Sequence, residues 1–272
     1  MVKASGSPQS IRFSANIGFL YDGLPLVDRI RAAARDGFDG VECHWPFDVP
    51  GSDVAAVLRE TGLPMLGLNT HTGDRTKGLF GLSAVPGLQS EARRAIEQAV
   101  DYGALIGARN VHVMAGYTDG GSSAEMTFRD NLRYACDLAA DHNMTVLIEP
   151  LNSKDHPNYH LSETDHAAQI ISDLDRANLK LMFDCYHVQI AEGHLQSRYK
   201  TLRDLIGHVQ IASAPDRHEP DDRQINFVRS IRTTQSQQNP VWVGAEYNPR
   251  TGRVEDGLSW LPALRREMAG QL

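Results

Sequence analysis

Short apolar runs that alternate with amphipathic stretches set the rhythm of the chain. Phe13 to Ile17 predicts a first strand, and Pro25 to Asp36 a helix, because Leu26, Ile30, Ala33 and Ala34 share one face. Pro25 suits the first helical position and Gly37 the stop. Gly40 to Cys43 predicts strand two, and Asp53 to Glu60 helix two, with Ser52 as its N-cap. Met65 to Thr70 predicts strand three. A connection carrying Gly73, Gly78, Gly81 and Gly87 follows, long enough to be a functional loop, and leads into helix three over about Ser90 to Ile106. Asn110 to Ala115 is strand four, and Ser123 can cap helix four, where Phe128, Leu132, Ala135 and Leu138 keep helical spacing. Strand five is Thr145 to Ile148, and helix five runs from a Ser162 cap, paired with Asp165, to about Arg176. Leu179 to Asp184, His208 to Ala212 and Val241 to Glu246 are the last three strands. Helical pieces over His187 to Ile206, about Ile225 to Ser236 and Gly257 to Met268 lie between and after them.

Eight strands alternating with helical segments predict a parallel sheet closed into a single-domain (β/α)8 barrel over residues 11–272. No Ser-rich or Pro-rich linker divides it, and no GxGxxG follows strand one, which disfavours an open doubly wound sheet. Residues 1–10 are polar and lack the apolar stretch of a secretion signal, so they read as a disordered lead-in and the protein as cytoplasmic. No apolar run has the length needed to cross a bilayer, which argues against a membrane role. The net charge of −7 provides no general footprint for nucleic acid. Cys43, Cys136 and Cys185 show no CxxC spacing, so neither a disulfide framework nor a thiolate zinc site is expected.

The charge pattern becomes informative at the strand ends. Thr145-Val146-Leu147-Ile148 runs into Glu149 and then Pro150, which has no N–H to continue a central strand. Leu179 to Phe183 delivers Asp184 in the same way, and Val241 to Ala245 delivers Glu246. A lone strand-end acid is commonly solvated or salt-bridged, whereas three at equivalent ends point to a shared role at the barrel mouth. Gln210 joins them from strand seven, where period-two alternation puts His208 and Gln210 on one face and Val209 and Ile211 on the other. Glu149, Asp184, Gln210 and Glu246 form an oxygen-only set suited to Mg2+ or Mn2+. Clustered carboxylates would otherwise repel one another, which gives a cation an electrostatic reason to be there. Arg217, in a charged loop after strand seven, could clasp a substrate carboxylate with its planar fork. His187 and His71 follow strands and are candidate substrate-binding residues, as is Lys154, whereas His112 inside strand four reads as a satisfied core residue. Glu42 ends strand two without an evident partner.

Six segments carry a resemblance: Gly81 to Gly87, Val111 to Gly116, Glu149-Pro150-Leu151-Asn152, His208 to Ala212, Pro215 to Pro220, and Gly244 to Tyr247. On these the chain resembles the hydroxypyruvate isomerase family of the xylose-isomerase-like barrels over nearly its whole length. The resemblance implies a divalent metal, Mg2+ or Mn2+, held by Glu149, Asp184, Gln210 and Glu246, with Glu149 and Glu246 also moving protons. It implies that His187 and Arg217 touch substrate, that no organic cofactor is needed, and that a homodimer or homotetramer forms. The expected reaction is aldose-ketose type isomerisation of a small hydroxy-carbonyl acid, hydroxypyruvate to tartronate semialdehyde being the leading case, through a cis-enediolate. Isomerisation of a 2-oxo-tetronate and ketose 3-epimerisation are the alternatives on the same site; an AP-endonuclease-like enzyme or a non-catalytic sugar-binding protein is disfavoured. Two stretches depart from the family pattern: Asp155 to His160 is unusually polar, and Cys43-His44-Trp45 gives the second loop a distinct wall.

Overall fold

The computed structural model describes residues 11–234 and 241–268, so the expected lead-in over residues 1–10 and the expected helix end at Ser236 lie outside the described residues. Eight parallel strands succeed one another in the order β2-β1-β8-β7-β6-β5-β4-β3. They are β1 (Ile11–Asn16), β2 (Gly40–Glu42), β3 (Gly67–Asn69), β4 (Asn110–His112), β5 (Thr145–Ile148), β6 (Leu179–Asp184), β7 (Ile206–Ile211) and β8 (Val241–Ala245). The seam between β2 and β3 is held by Leu66 N–H donating to Val41 O at 2.7 Å and Cys43 N–H to Gly67 O at 3.0 Å, with a parallel bridge from Val41 to Met65. Strand three is therefore shorter than the apolar run Met65 to Thr70 predicts, because only its middle keeps ladder geometry on the β4 side.

The helices that surround the strands are α1 (Leu26–Arg35), α2 (Gly51–Thr61), α3 (Gln89–Ile106), α4 (Gly121–Ala140), α5 (Thr164–Leu174), α6 (Cys185–Ala191), α7 (Leu195–Leu202), α8 (Asp222–Thr234), α9 (Val254–Gly257) and α10 (Trp260–Met268). Three expected caps are not formed. Pro50, at φ −55° and ψ 129°, precedes α2 and places Ser52 inside the first turn, while Gly120 rather than Ser123 precedes α4. At α5 the caps come from across the fold: Glu192 accepts from the Thr164 N–H at 2.8 Å and from the Thr164 hydroxyl at 2.9 Å, so Ser162 is not needed. A tertiary carboxylate can satisfy orphan helix N–H groups as well as a local side chain can. Among the described residues no helix is long and apolar enough to cross a membrane.

Strand alternation sorts the core into two layers. On β1, Phe13 faces outward and meets the edge of Trp260 in α10, with ring centroids 5.6 Å apart. Ser14 and Asn16, one residue out of phase, point into the barrel. Phe183 on β6 likewise stacks outward on Phe227 of α8 at 6.0 Å. The apolar layer between strands and helices supplies the stability, leaving the barrel interior free to hold buried polar groups: Ser14, Glu42, His112, His208 and Gln210 are each at most 4% exposed. Gly244 makes room for this interior, since a Cβ there would sit 1.9 Å from Glu42 Oε1. Gly244→Ala is accordingly expected to destabilise the fold by about 1–3 kcal/mol through overpacking, measurable as a lower midpoint in urea unfolding.

Candidate active site

The ends of β5 to β8 bring four of the sequence-predicted groups to one mouth. Glu149 follows β5 and is buried, and its Oε1 has no hydrogen-bond partner among the described residues. Asp184 closes β6 and caps α6 by accepting from the Tyr186 N–H through Oδ1 at 2.7 Å. Its other oxygen, Oδ2, accepts from Arg217 Nη2 at 3.1 Å. Glu246 follows β8; its Oε1 accepts from Asn16 Nδ2 at 2.7 Å and lies 3.1 Å from His44 Nε2, and its Oε2 accepts from Arg217 Nη2.

Gln210 is oriented from below. Its Nε2 donates to Glu42 Oε2 at 3.2 Å, and because a carboxylate only accepts, the amide nitrogen must face Glu42 and the oxygen must face away. His208 Nε2, 2.9 Å from the same Oε2, and the Ser14 hydroxyl, 3.2 Å from Oε1, hold Glu42 in turn. Gln210 Oε1 has no partner among the described residues. Glu149, Asp184 and His187 bring ligand-capable atoms within 4.8 Å of one another, and Gln210 is the register neighbour of Asp184. The unpartnered oxygens of Glu149 and Gln210, together with Asp184 and Glu246, fit a hard divalent cation by donor chemistry and by charge, since one arginine faces three carboxylates.

His187 sits at the same mouth with a defined tautomer. Its Nδ1 accepts from the Asn152 backbone N–H at 3.1 Å, so the proton is on Nε2, 3.7 Å from Asp184 Oδ2. That nitrogen is a donor aimed into the cavity rather than a lone pair for a metal. Arg217 reaches the carboxylates from a backbone in the left-handed region at φ 53°, and its guanidinium lies over the rings of Phe19 at 4.7 Å and Tyr186 at 4.8 Å.

Burial and partners push the acids apart. Burial raises Glu149 well above the usual carboxylate range, with repulsion from Glu246 and Asp184 adding to it. Burial likewise carries Asp184 up to about 7 despite Arg217. Burial would raise Glu246 too, but Arg217, followed by the hydrogen bond from His44, outweighs it and holds this acid down at about 2. Burial keeps His187 well below the ordinary imidazole value.

Glu149, His187, Arg217 and Glu246 line a cavity of about 500 Å3 whose outer wall includes Trp45, Arg75, Phe80 and His156; Gln210 lies below it, in a small void with Asn16, Glu42 and His208. Phe80 stacks on His156 at 5.2 Å and carries the Arg75 guanidinium at 5.4 Å. His71 and Lys154 are not brought to the site. His71 is exposed, accepts from the Gly73 N–H at 3.0 Å and lines a separate surface groove with Leu82 and Glu91, while Lys154 is exposed and does not line the cavity. His112 is not a satisfied core residue: neither ring nitrogen has a hydrogen-bond partner among the described residues, and Nδ1 lies 3.5 Å from Glu149 Oε2 at the cavity floor. Asn16 and Arg75 escape the sequence reading, and His44 enters it only as part of a loop wall and not as a partner of Glu246. The strand-end rule that selects Glu149 applies equally to Asn16 at the end of β1 and His44 just past β2, whereas Arg75 on the long third connection carries no periodic signal.

The model of the Xylose isomerase-like TIM barrel family matches residues 30–264. The chain is 39% identical to a 2-oxo-tetronate isomerase of Pectobacterium atrosepticum over 252 residues, 92% of this chain and 96% of the relative. It is 35% identical to the hydroxypyruvate isomerase of Escherichia coli over 258 residues, 94% of this chain and 100% of the relative. A crystal structure described as an AP endonuclease, family 2, from Brucella melitensis superposes with a TM-score of 0.85 at 35% identity, covering 93% of this chain and 98% of that one. With eight parallel strands, functional groups gathered where they end, and a family match across most of its length, the chain belongs to the xylose isomerase-like TIM barrel family.

Proposed function

We propose that the protein isomerises a small hydroxy-keto acid, hydroxypyruvate or a 2-oxo-tetronate, by moving one proton between adjacent carbons. The observation that carries this reading is the split in proton affinity between two glutamates on one cavity: Arg217 and the hydrogen bond from His44 pull Glu246 down against its burial, whereas burial raises Glu149 well above the usual carboxylate range until a cation offsets it. One is set to take a proton and the other to give one. The identity to named isomerases of both substrates over more than nine-tenths of the chain supports the same class.

In the forward direction Glu246 accepts the proton from the carbon next to the carbonyl. Glu149 returns one to the former carbonyl carbon, and the hydroxyl proton passes to the former carbonyl oxygen. His187 Nε2–H donates to a substrate oxygen as negative charge develops, and the two glutamates then recover their starting states by proton exchange with solvent. A Mg2+ or Mn2+ ion held by Glu149, Asp184, Gln210 and Glu246 would supply electrophilic stabilisation of the carbonyl and hydroxyl oxygens. The apolar rings of Trp45 and Phe80 limit water at the reacting carbons.

The test is proton NMR of the purified protein in D2O with hydroxypyruvate, a 2-oxo-tetronate and a panel of ketoses. Deuterium should enter the carbon next to the carbonyl of the acids and a new carbonyl isomer should accumulate. Incorporation into ketoses at C3 with inversion would instead make it a 3-epimerase, and no exchange with any of them would remove the proposal.

Arg217 has a part besides clasping a substrate carboxylate, because its Nη2 bridges Asp184 and Glu246, while its buried Nε has no hydrogen-bond partner among the described residues. Arg217→Ala is therefore expected to move the acidic limb of the kcat/KM profile to higher pH, since Glu246 loses the cation that keeps it ionised. An unchanged limb with a selective loss on acid substrates would restore the carboxylate-clasp reading.

A further inference from the structure

Outside the mouth, a second group of ligating side chains is assembled where no proton transfer needs it. Glu125 in the first turns of α4, His160 in the connection after β5, and His166 in the first turn of α5 converge from three segments. Nε2 of His160 and Nε2 of His166 each lie 3.0 Å from the same carboxylate oxygen, Glu125 Oε2. We propose that these three residues form a metal site for zinc, separate from the oxygen-rich site at the barrel mouth.

The geometry, donor types and surroundings each support this. Zinc binds imidazole nitrogen and carboxylate oxygen at about 2.0–2.2 Å, so ligand atoms around one ion stand roughly 3–3.5 Å apart. Two nitrogens and one oxygen select zinc over Mg2+ or Mn2+, the reverse of the preference at Glu149, Asp184, Gln210 and Glu246. The His160 side chain is 4% exposed, while those of Glu125 and His166 are 26% and 34% exposed, so one side of the cluster meets water that can complete a tetrahedron.

Each inner ligand is also held from behind, as metal ligands usually are. His160 Nδ1 is 3.1 Å from the Thr118 hydroxyl, and the ring meets the edge of Phe128 at 5.5 Å. Glu125 Oε1 accepts from Arg129 Nε at 2.5 Å. Arg129 does not cancel the charge needed to hold a cation, because its Nη1 pairs with Asp173 Oδ2 at 2.8 Å.

The placement also accounts for the polar stretch Asp155 to His160, which the proton-transfer chemistry leaves unexplained. The backbone of that segment is tied to the β4 connection by His160 N–H to Gly116 O at 2.9 Å and Thr118 N–H to Asn158 O at 3.0 Å. Its inner side presents His156 to the cavity wall, stacked on Phe80. A zinc ion at its end staples α4, α5 and this connection together and so fixes the wall of the substrate cavity from outside.

The experiment uses the full chain, stripped with chelator and then supplied with one equivalent of Zn2+ in excess Mg2+, followed by desalting and elemental analysis. Wild type is expected to retain one zinc per chain, and Co2+ in its place to give the visible absorption of a tetrahedral site. His166→Ala, at a partly exposed position, should bind zinc at least about tenfold more weakly, in line with the loss on removing an inner or supporting group. Asp184→Asn, which disables the oxygen-rich site instead, should keep its zinc. Retention by His166→Ala, loss from Asp184→Asn, or no zinc retained by the wild type would each overturn the proposal, the last showing that the cluster is closed by its own hydrogen bonds.

Discussion

Glu149→Gln and Glu246→Gln are each expected to cut turnover by about 10² to 10⁴-fold, the usual worth of one positioned proton transfer. The two should differ in stability. Glu149 Oε1 has no hydrogen-bond partner among the described residues, so an amide there removes a titrating group without breaking a bond. Glu246 accepts from both Asn16 and Arg217, and an amide NH2 turned toward Arg217 would set two donors against each other. In the presence of chelator, Glu246→Gln should therefore also unfold at lower denaturant, whereas Glu149→Gln should not. Steady-state kinetics beside urea melts would read both effects. Near-wild-type turnover in either variant would remove that residue from the proton path.

On the proposed metal site, removal of Mg2+ or Mn2+ is expected to abolish turnover and to lower thermal stability in a pH-dependent way. An ion present at about 100 times its dissociation constant adds about 2.7 kcal/mol to the folded state, or roughly 5–10 °C in Tm for a domain of this size. The pH sign follows from Asp184, raised from 3.8 to about 7 in the metal-free fold. A raised group stabilises fully below its unfolded value, and that contribution disappears as pH climbs through its folded value. Between about pH 4 and 7 the metal-free protein thus loses stability as Asp184 must ionise among other acids, and the ion relieves that loss. The gain in Tm on adding Mn2+ should be larger at pH 8 than at pH 5.5. His112 works in the opposite sense, since burial holds it down at about 4 and its contribution is lost as pH falls below the ordinary imidazole value. That term is present with and without the ion and largely cancels in the difference. Equal gains at both pH values, or full activity after exhaustive chelation, would count against the ion.

The distance between what could be read from the chain and what could not follows the range of the interactions involved. Apolar runs ending in an acid are local, so β5, β6 and β8 and the position of Glu149, Asp184 and Glu246 at one mouth could be read directly from the residues. The eightfold alternation sufficed for the barrel, because strands flanked by amphipathic helices can bury both faces only in such a layered arrangement. Contacts between residues far apart in sequence had no such signature. The amide of Gln210 is turned by Glu42, 168 positions away, and the charge on Glu246 is set by Arg217 and by His44, the latter 202 positions away. His71 looks equivalent to His187 in sequence, yet a hydrogen bond from Gly73 turns it out to another surface while Asn152 turns His187 in. His112 has the pattern of a core residue and lies at the cavity floor, since an inward position near a barrel's mouth and an ordinary core position look alike along one strand. Which residue types the site contains was thus determined by the sequence alone; their protonation, orientation and partners were decided only when closure of the barrel placed distant strands within hydrogen-bonding reach and out of water.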